Sequence, residues 1–262
     1  MLVVVVGSGL LAPLLAPYDP ERQDYAHVLE PPSTSHLLGT DDIGRDILSR
    51  IMYGARTSLS VGLVSVGFSV IIGVPLGLSA AYRGGLMDDA LMRLMDAMTA
   101  FPELILALGI TAALKPGLLN VMVAIGVVGI PQFARLARGQ ALSVRQLEYV
   151  NAARALGAGA GRVLAFHIWP NSTAPIIVQA SLRVASAIVT EATLSFLGAG
   201  VPPPTPSWGS MLQASYQYTE TAPWLAVFPG AAIFITVLAT NVVGDALRIV
   251  LDPRMRKGVP AR

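Results

Sequence analysis

The chain has 262 residues, of which 53% are hydrophobic and 13% charged, with a mean hydropathy of +0.61. Soluble domains carry roughly 25% charged residues, so this composition excludes an ordinary soluble globular domain and marks an integral membrane protein. The absence of cysteine excludes disulfides and thiol chemistry, and the scattered His27, His36 and His167 offer neither metal-ligand spacing nor a catalytic arrangement; no cofactor is implied.

Residues 1–16 form a short apolar stretch with no basic residue before it and no convincing small-x-small cleavage site, and it reads as a first transmembrane helix clipped at its start. Pro13 and Pro17 stand at its far end, where a stopping helix tolerates them.

In the polar segment that follows, Thr40 or Asp41 is expected to cap a helix whose stripe of Ile43, Ile47, Leu48, Ile51 and Met52 suits a membrane surface. Asp41 with Arg45, and Asp46 with Arg50, have the spacing to pair; taken one by one, these charges read as those of a solvated linker helix.

Five runs are apolar and long enough to cross a bilayer as helices: 57–82, 86–114, 117–138, 171–198 and 224–250. In the first, Gly73 and Gly77 make a Gly-x-x-x-Gly pair that permits close helix approach, with Pro75 hinting at a bend. In the second, Asp89, Arg93 and Asp96 have the spacing of one ladder, and Pro102 before Glu103 predicts a bend. Arg183 and Glu191 share the fourth run but stand too far apart to pair, so each needs a partner elsewhere or a watery path. Glu103, Arg183 and Glu191 are therefore candidates for a translocation path, with interhelical pairing as the alternative.

Between the third and fourth runs lies the polar interval 139–170. Leu147, Val150, Ala153 and Leu156 form a short apolar stripe, Arg145, Glu148, Asn151 and Arg154 are polar, and Gly157 ends the helix. Pro170 with Asn171 and Ser172 is expected to start the next span. Periodicity alone fits an amphipathic connector as well as a helix that docks on a soluble partner. Gly157-Ala-Gly-Ala-Gly161 is no phosphate loop, because no Lys-Ser or Lys-Thr follows it.

Arg135, Arg138, Arg145, Arg154 and Arg162 fall in or beside that interval, Arg83 follows the first long run, and Arg254, Arg256, Lys257 and Arg262 follow the last. The loop from Ala199 to Ala222 holds no Lys or Arg, so the interval and the C-terminus are expected in the cytoplasm and residues 18–56 outside. Trp208, Tyr216, Tyr218 and Trp224 then fit an outer aromatic belt. The pI near 9.1 follows from this topology, and nucleic-acid binding has no support.

Asn151-Ala-Ala-Arg-Ala-Leu-Gly157 with Pro170 downstream resembles the cytoplasmic EAA loop of permease subunits of bacterial ABC importers, with Asn151 at the motif's glutamate and Trp169 at its usual leucine. His36-Leu-Leu-Gly-Thr-Asp-Asp-Ile-Gly-Arg-Asp-Ile-Leu-Ser-Arg50, and Glu191-Ala-Thr-Leu-Ser-Phe-Leu-Gly198 followed by Pro202-Pro-Pro-Thr-Pro-Ser-Trp-Gly209, resemble the dipeptide, oligopeptide and nickel group of these permeases, of the DppC or OppC type.

The resemblance implies an all-α protein with the type I ABC importer permease fold: six transmembrane helices, the first truncated, and a cytoplasmic coupling helix. Residues 1–56 would be the N-terminal helix and extracytoplasmic segment, 57–250 the permease core with coupling loop 139–170, and 251–262 a cytoplasmic tail. Glu148, Asn151, Ala152, Ala153, Arg154, Leu156, Gly157 and Pro170 would couple to the ATPase. Implied partners are a second homologous permease, two ATP-binding subunits, an extracytoplasmic substrate-binding protein and the bilayer of the bacterial inner membrane. The chain would import di- or oligopeptides, glutathione or nickel, and would have no catalytic residues itself. An ion-coupled carrier using Glu103 and Glu191, or an assembly factor docking on a soluble enzyme, are the alternatives.

Overall fold

A computed structural model describes residues 1–251 and contains no strand among them; the expected tail, with Arg254, Arg256, Lys257 and Arg262, lies outside the described residues. The N-terminal stretch makes a short helix, α1 (Leu2–Leu10), and a single further turn, Ala12–Leu15. Neither reaches the roughly 20 residues a crossing needs.

Four helices are long and apolar enough to cross a membrane: α2 (Ile47–Arg83), α5 (Leu118–Val144), α7 (Ala160–Phe196) and α9 (Trp224–Leu251). Two further pieces, α3 (Gly85–Thr99) and α4 (Glu103–Leu114), are together long and apolar enough for a fifth span and are bent by 91° at the break that Pro102 was expected to cause. Two short helices complete the set: α6 (Glu148–Ala155) and α8 (Trp208–Ser215).

Glycines set the closest packing. Gly73 lies against the backbone of Ile130 and the side chain of Phe133, Gly77 against Ala134, and Gly126 against the Phe68 ring. The paired positions rise together along both chains, so α2 and α5 run parallel, and the bent pair between them returns the chain across the bundle. Small-residue contacts of this kind permit the dispersion packing that joins helices where water supplies no drive. Gly62 against Ile188 and Val184, and Gly244 against Leu182, seat α7 antiparallel to both α2 and α9. A core of Val61, Val66, Val74, Val121, Phe133, Ile176 and Leu194 fills the centre.

Alternating directions sort the connections onto two ends of the bundle. Residues 17–46 and α8 share one end; α6 and the end of α2 share the other, where Arg145 donates to the Ala81 carbonyl at 2.8 Å. Pro75 does not break α2, which stays helical through it.

The first end corrects several expectations. The helix is capped by Asp46 rather than Thr40 or Asp41, and the span expected from 57 starts ten residues earlier, at Ile47. Asp46 accepts from the Ser49 amide at 2.8 Å and the Ser49 hydroxyl at 2.7 Å, and contacts His36 Nδ1 at 3.0 Å. It is thus not paired with Arg50, which donates to the Pro20 carbonyl and approaches Asp41 at 3.6 Å. The Asp41 to Arg45 pair does form, at 2.6 Å. Asp41, Asp46 and Arg50 are buried, and Ile47 packs with Ala55, Ile188 and Trp208, so this segment is a folded cap rather than a solvated surface helix. Gly44, with φ of +77°, lies directly on the Asp24 backbone, which leaves no space for a side chain. Trp208 is buried too, donating to the Ile51 carbonyl at 3.1 Å, and Trp224 turns toward Thr40; of the expected belt, Tyr216 is the exposed member.

Within the bundle, the expected ladder of Asp89, Arg93 and Asp96 does not form among the described residues; Asp96 and Asp88, the neighbour of Asp89, are paired instead. Their partners come from α5: Arg135 reaches Asp96 at 2.8 Å, and Arg138 grips both Asp88 oxygens at 2.6 Å. Arg93 is exposed and makes no ion pair among the described residues.

Candidate functional site

Two places carry the residues singled out from the sequence. The first is α6, a two-turn helix at the end of the bundle that holds most of the arginines. Val150 is fully buried against Ala141, Val144, Val163 and Ile168, which roots the helix on the base of α5 and α7. Of the rest of the predicted stripe, Ala153 is half-buried, Leu147 is exposed, and Leu156 is 89% exposed. Glu148, Asn151 and Ala152 also face outward. Gly157, at φ +84°, supplies the left-handed residue that closes the helix, with its amide donating to the Arg154 carbonyl at 2.9 Å and the Ala158 amide to Ala153 at 3.0 Å. The Arg154 guanidinium lies 5.8 Å from the centre of the Tyr82 ring, and its Nε is buried with no hydrogen-bond partner among the described residues.

Pro170 stands in the first turn of the α-helix Trp169–Phe196, as expected, but that helix does not begin from a loop. The helical run begins at Ala160 and continues through a π-helical turn over Leu164–Ile168. Such a turn shifts the hydrogen-bond register where proline provides no N–H. Asn171 and Ser172 do not cap: their side chains donate backward to the carbonyls of His167, at 2.7 Å, and Ile168, at 2.9 Å.

The second place is the break between α3 and α4. Glu103 stands in the first turn of α4, whose N-terminus no side chain caps. Arg183, midway along the fourth long run, reaches across and grips both Glu103 oxygens, with Nη1 to Oε2 at 3.1 Å. A cleft of about 530 Å³ opens beside the pair, lined also by Met98, Phe101, Gln132 and Arg135.

Glu191 does not belong to that cleft. It is fully buried, and its carboxylate accepts from Ser58 on α2 at 3.0 Å and from Ser195 at 2.8 Å. The Ser195 hydroxyl in turn accepts the Val201 amide at 3.2 Å. The structure therefore joins two of the three candidate path residues and sets the third apart as a tie between helices.

With this geometry in hand, residues 73–257 match the family described as the binding-protein-dependent transport system inner membrane component. The chain belongs to that family. Among its relatives is the di/tripeptide transport system permease protein DppC of Pseudomonas aeruginosa strain UCBPP-PA14, 46% identical over 261 residues, covering 97% of this chain and 86% of the relative. The glutathione transport system permease protein GsiD of Pectobacterium atrosepticum is 44% identical, covering 97% of this chain and 85% of that protein. Among solved structures, an inward-facing MetNI methionine ABC transporter chain superposes with a TM-score of 0.65 at 18% identity, over 78% of this chain and 96% of that one. The fold is that of a type I ABC importer permease, as the motifs implied.

Sequence reasoning missed several residues of this permease's sites. Ser58 carries no mark of its own in the sequence; a buried glutamate's need for donors from a neighbouring helix is the signal that could have raised it. Arg135 was counted for its charge, yet it donates to Asp96, to Thr99 at 2.7 Å and to the Met95 carbonyl at 3.2 Å. Those partners stand 36 to 40 positions away, beyond any helical periodicity.

Proposed function

We propose that this permease is the transmembrane subunit of an ATP-driven importer of di- or oligopeptides in the bacterial inner membrane. It forms half of the translocation path with a second homologous permease, receives substrate from an extracytoplasmic binding protein, and is driven by two ATP-binding subunits. Residues 17–46 and α8 face outward, α6 and the C-terminus face the cytoplasm, and the parts 1–56, 57–250 and 251–262 serve as outer segment, permease core and cytoplasmic tail. The excess of arginine beside α6 supports this orientation.

The observation that carries the reading is the combination of near full-length similarity to peptide permeases with a short helix rooted by Val150 and offering Leu156 to a partner. Glu148, Asn151, Ala152, Ala153, Arg154, Leu156 and Gly157 meet the ATPase, and Pro170 sets the helix that receives the push. Displacement of α6 then moves α5 and α7 together, because Val144, Val150, Val163 and Ile168 pack as one cluster. An ion-coupled carrier gains no support, since Glu103 is engaged by Arg183 and Glu191 by two serines.

ATP-dependent peptide uptake into vesicles holding the co-encoded partners tests the proposal. Gly157→Asp and Ala153→Arg should insert normally and lose uptake. Unchanged uptake in both would reduce α6 to a connector and reopen the mechanism.

A further inference from the structure

A bidentate ion pair at the middle of a membrane span is costly to keep, since each ion is withdrawn from water and the pair only partly repays it. Arg183 and Glu103 form such a pair, yet no other side chain among the described residues holds either partner by a hydrogen bond, in contrast to Arg135 and its three acceptors. The pair is also asymmetric. The Arg183 side chain is 12% exposed and Glu103 is 41% exposed, and both border the cleft. Its volume of about 530 Å³ lies inside the roughly 300–1,000 Å³ typical of small-molecule sites.

We infer that the Glu103 and Arg183 pair is an exchangeable latch for a zwitterionic peptide: the ligand's carboxylate displaces Glu103 from the Arg183 guanidinium while its ammonium group takes up the freed Glu103 carboxylate. This inference rests on the peptide reading given above. The guanidinium fork is matched to a planar carboxylate whichever molecule supplies it, so the exchange conserves charge and hydrogen bonds. No bare ion is left at mid-span during transit. Met98, Phe101, Pro102 and Val128 make the apolar part of the wall, and methionine adapts its shape readily; of the polar lining, Arg135 and Thr99 are hydrogen-bonded to each other and Gln132 is the remaining amide. The cleft therefore reads the two charged termini and tolerates varied side chains between them.

The test uses the complete transporter in proteoliposomes with labelled dialanine, and compares the wild type with Glu103→Gln, Arg183→Gln and the double variant. Melting temperature, binding-protein-stimulated ATP hydrolysis and peptide moved per ATP are read together. The expected result is unchanged melting in the double variant, with peptide moved per ATP reduced about tenfold, as for loss of a charge-assisted hydrogen-bonded contact. Recovery of transport in the double variant, after loss in each single one, would make the pair structural and overturn the latch, as would normal transport in all three. A second measurement needs no variant: without binding protein, millimolar dialanine should alter basal ATP hydrolysis and N-acetyl-dialanine amide should not. An equal response to both, or to neither, overturns the latch. A wild-type complex that moves no peptide refutes the peptide reading itself and the latch with it.

Discussion

Gly77 on α2 lies so close to the Ala134 carbonyl on α5 that no Cβ fits between them. Gly67, ten positions earlier on the same helix, has nothing within 4 Å of where its Cβ would stand. Gly77→Val should therefore force the helices apart and cost roughly 1–3 kcal/mol, whereas Gly67→Val should leave the detergent melting temperature unchanged. Equal effects at the two positions would refute the glycine contact as the determinant of this packing.

Glu191 is expected to hold the fold together. Replacement by Ala strands the Ser58 and Ser195 hydroxyls, opens a cavity and should cost roughly 2–5 kcal/mol. Replacement by Gln keeps hydrogen-bond partners for both serines and should cost about 1 kcal/mol or less. Peptide uptake at permissive temperature should survive in the Gln variant; its loss there with normal melting would return Glu191 to the translocation path.

Asp46→Ala removes a helix cap and two further side-chain contacts at once, and a loss of roughly 1–3 kcal/mol is expected. Asp42 offers the control: it meets Arg45 only at 3.8 Å and its side chain is 33% exposed. Its replacement by Ala should change stability by less than about 0.5 kcal/mol, as for exposed pairs. Thermal denaturation of both variants compares a buried polar hub with a surface pair a few residues away.

Leu156→Ala should leave melting within about 0.5 kcal/mol of the wild type, because an exposed side chain contributes little to folding. Under the coupling proposal it should nevertheless reduce retention of the ATP-binding subunits during purification. Undiminished retention would remove Leu156 from the docking surface.

The arrangement of spans was legible because lipid demands long apolar runs, and the break at Pro102 was legible because proline withdraws a donor. The pairing of Asp41 with Arg45 was read correctly, while the same spacing failed for Asp46 and Arg50. Spacing says that two charges can meet; it does not say that one has been taken as a cap or drawn to a distant carbonyl. Trp208 was misplaced for a related reason. An aromatic at a span's end satisfies the belt pattern equally well when the chain folds back and buries it. The union of Arg183 with Glu103 was beyond reading, since 80 positions separate them and only the bent crossing brings them together. Pro170 was read correctly as a first-turn proline, but the π-helical turn that leads into it leaves no compositional trace.

Parallel neighbours locked by glycine, as α2 and α5 are, form a double strut. The 37-residue α2 is about 55 Å long at 1.5 Å per residue. One end of the strut is pinned near α6 by Arg145 on the Ala81 carbonyl, and the other carries the buried cap around Asp46 and Trp208. Under the coupling proposal, such a strut would move as one body. A few degrees of tilt imposed at the α6 end would be delivered as ångströms of travel at the far rim, with the Arg183 cleft positioned along the lever arm.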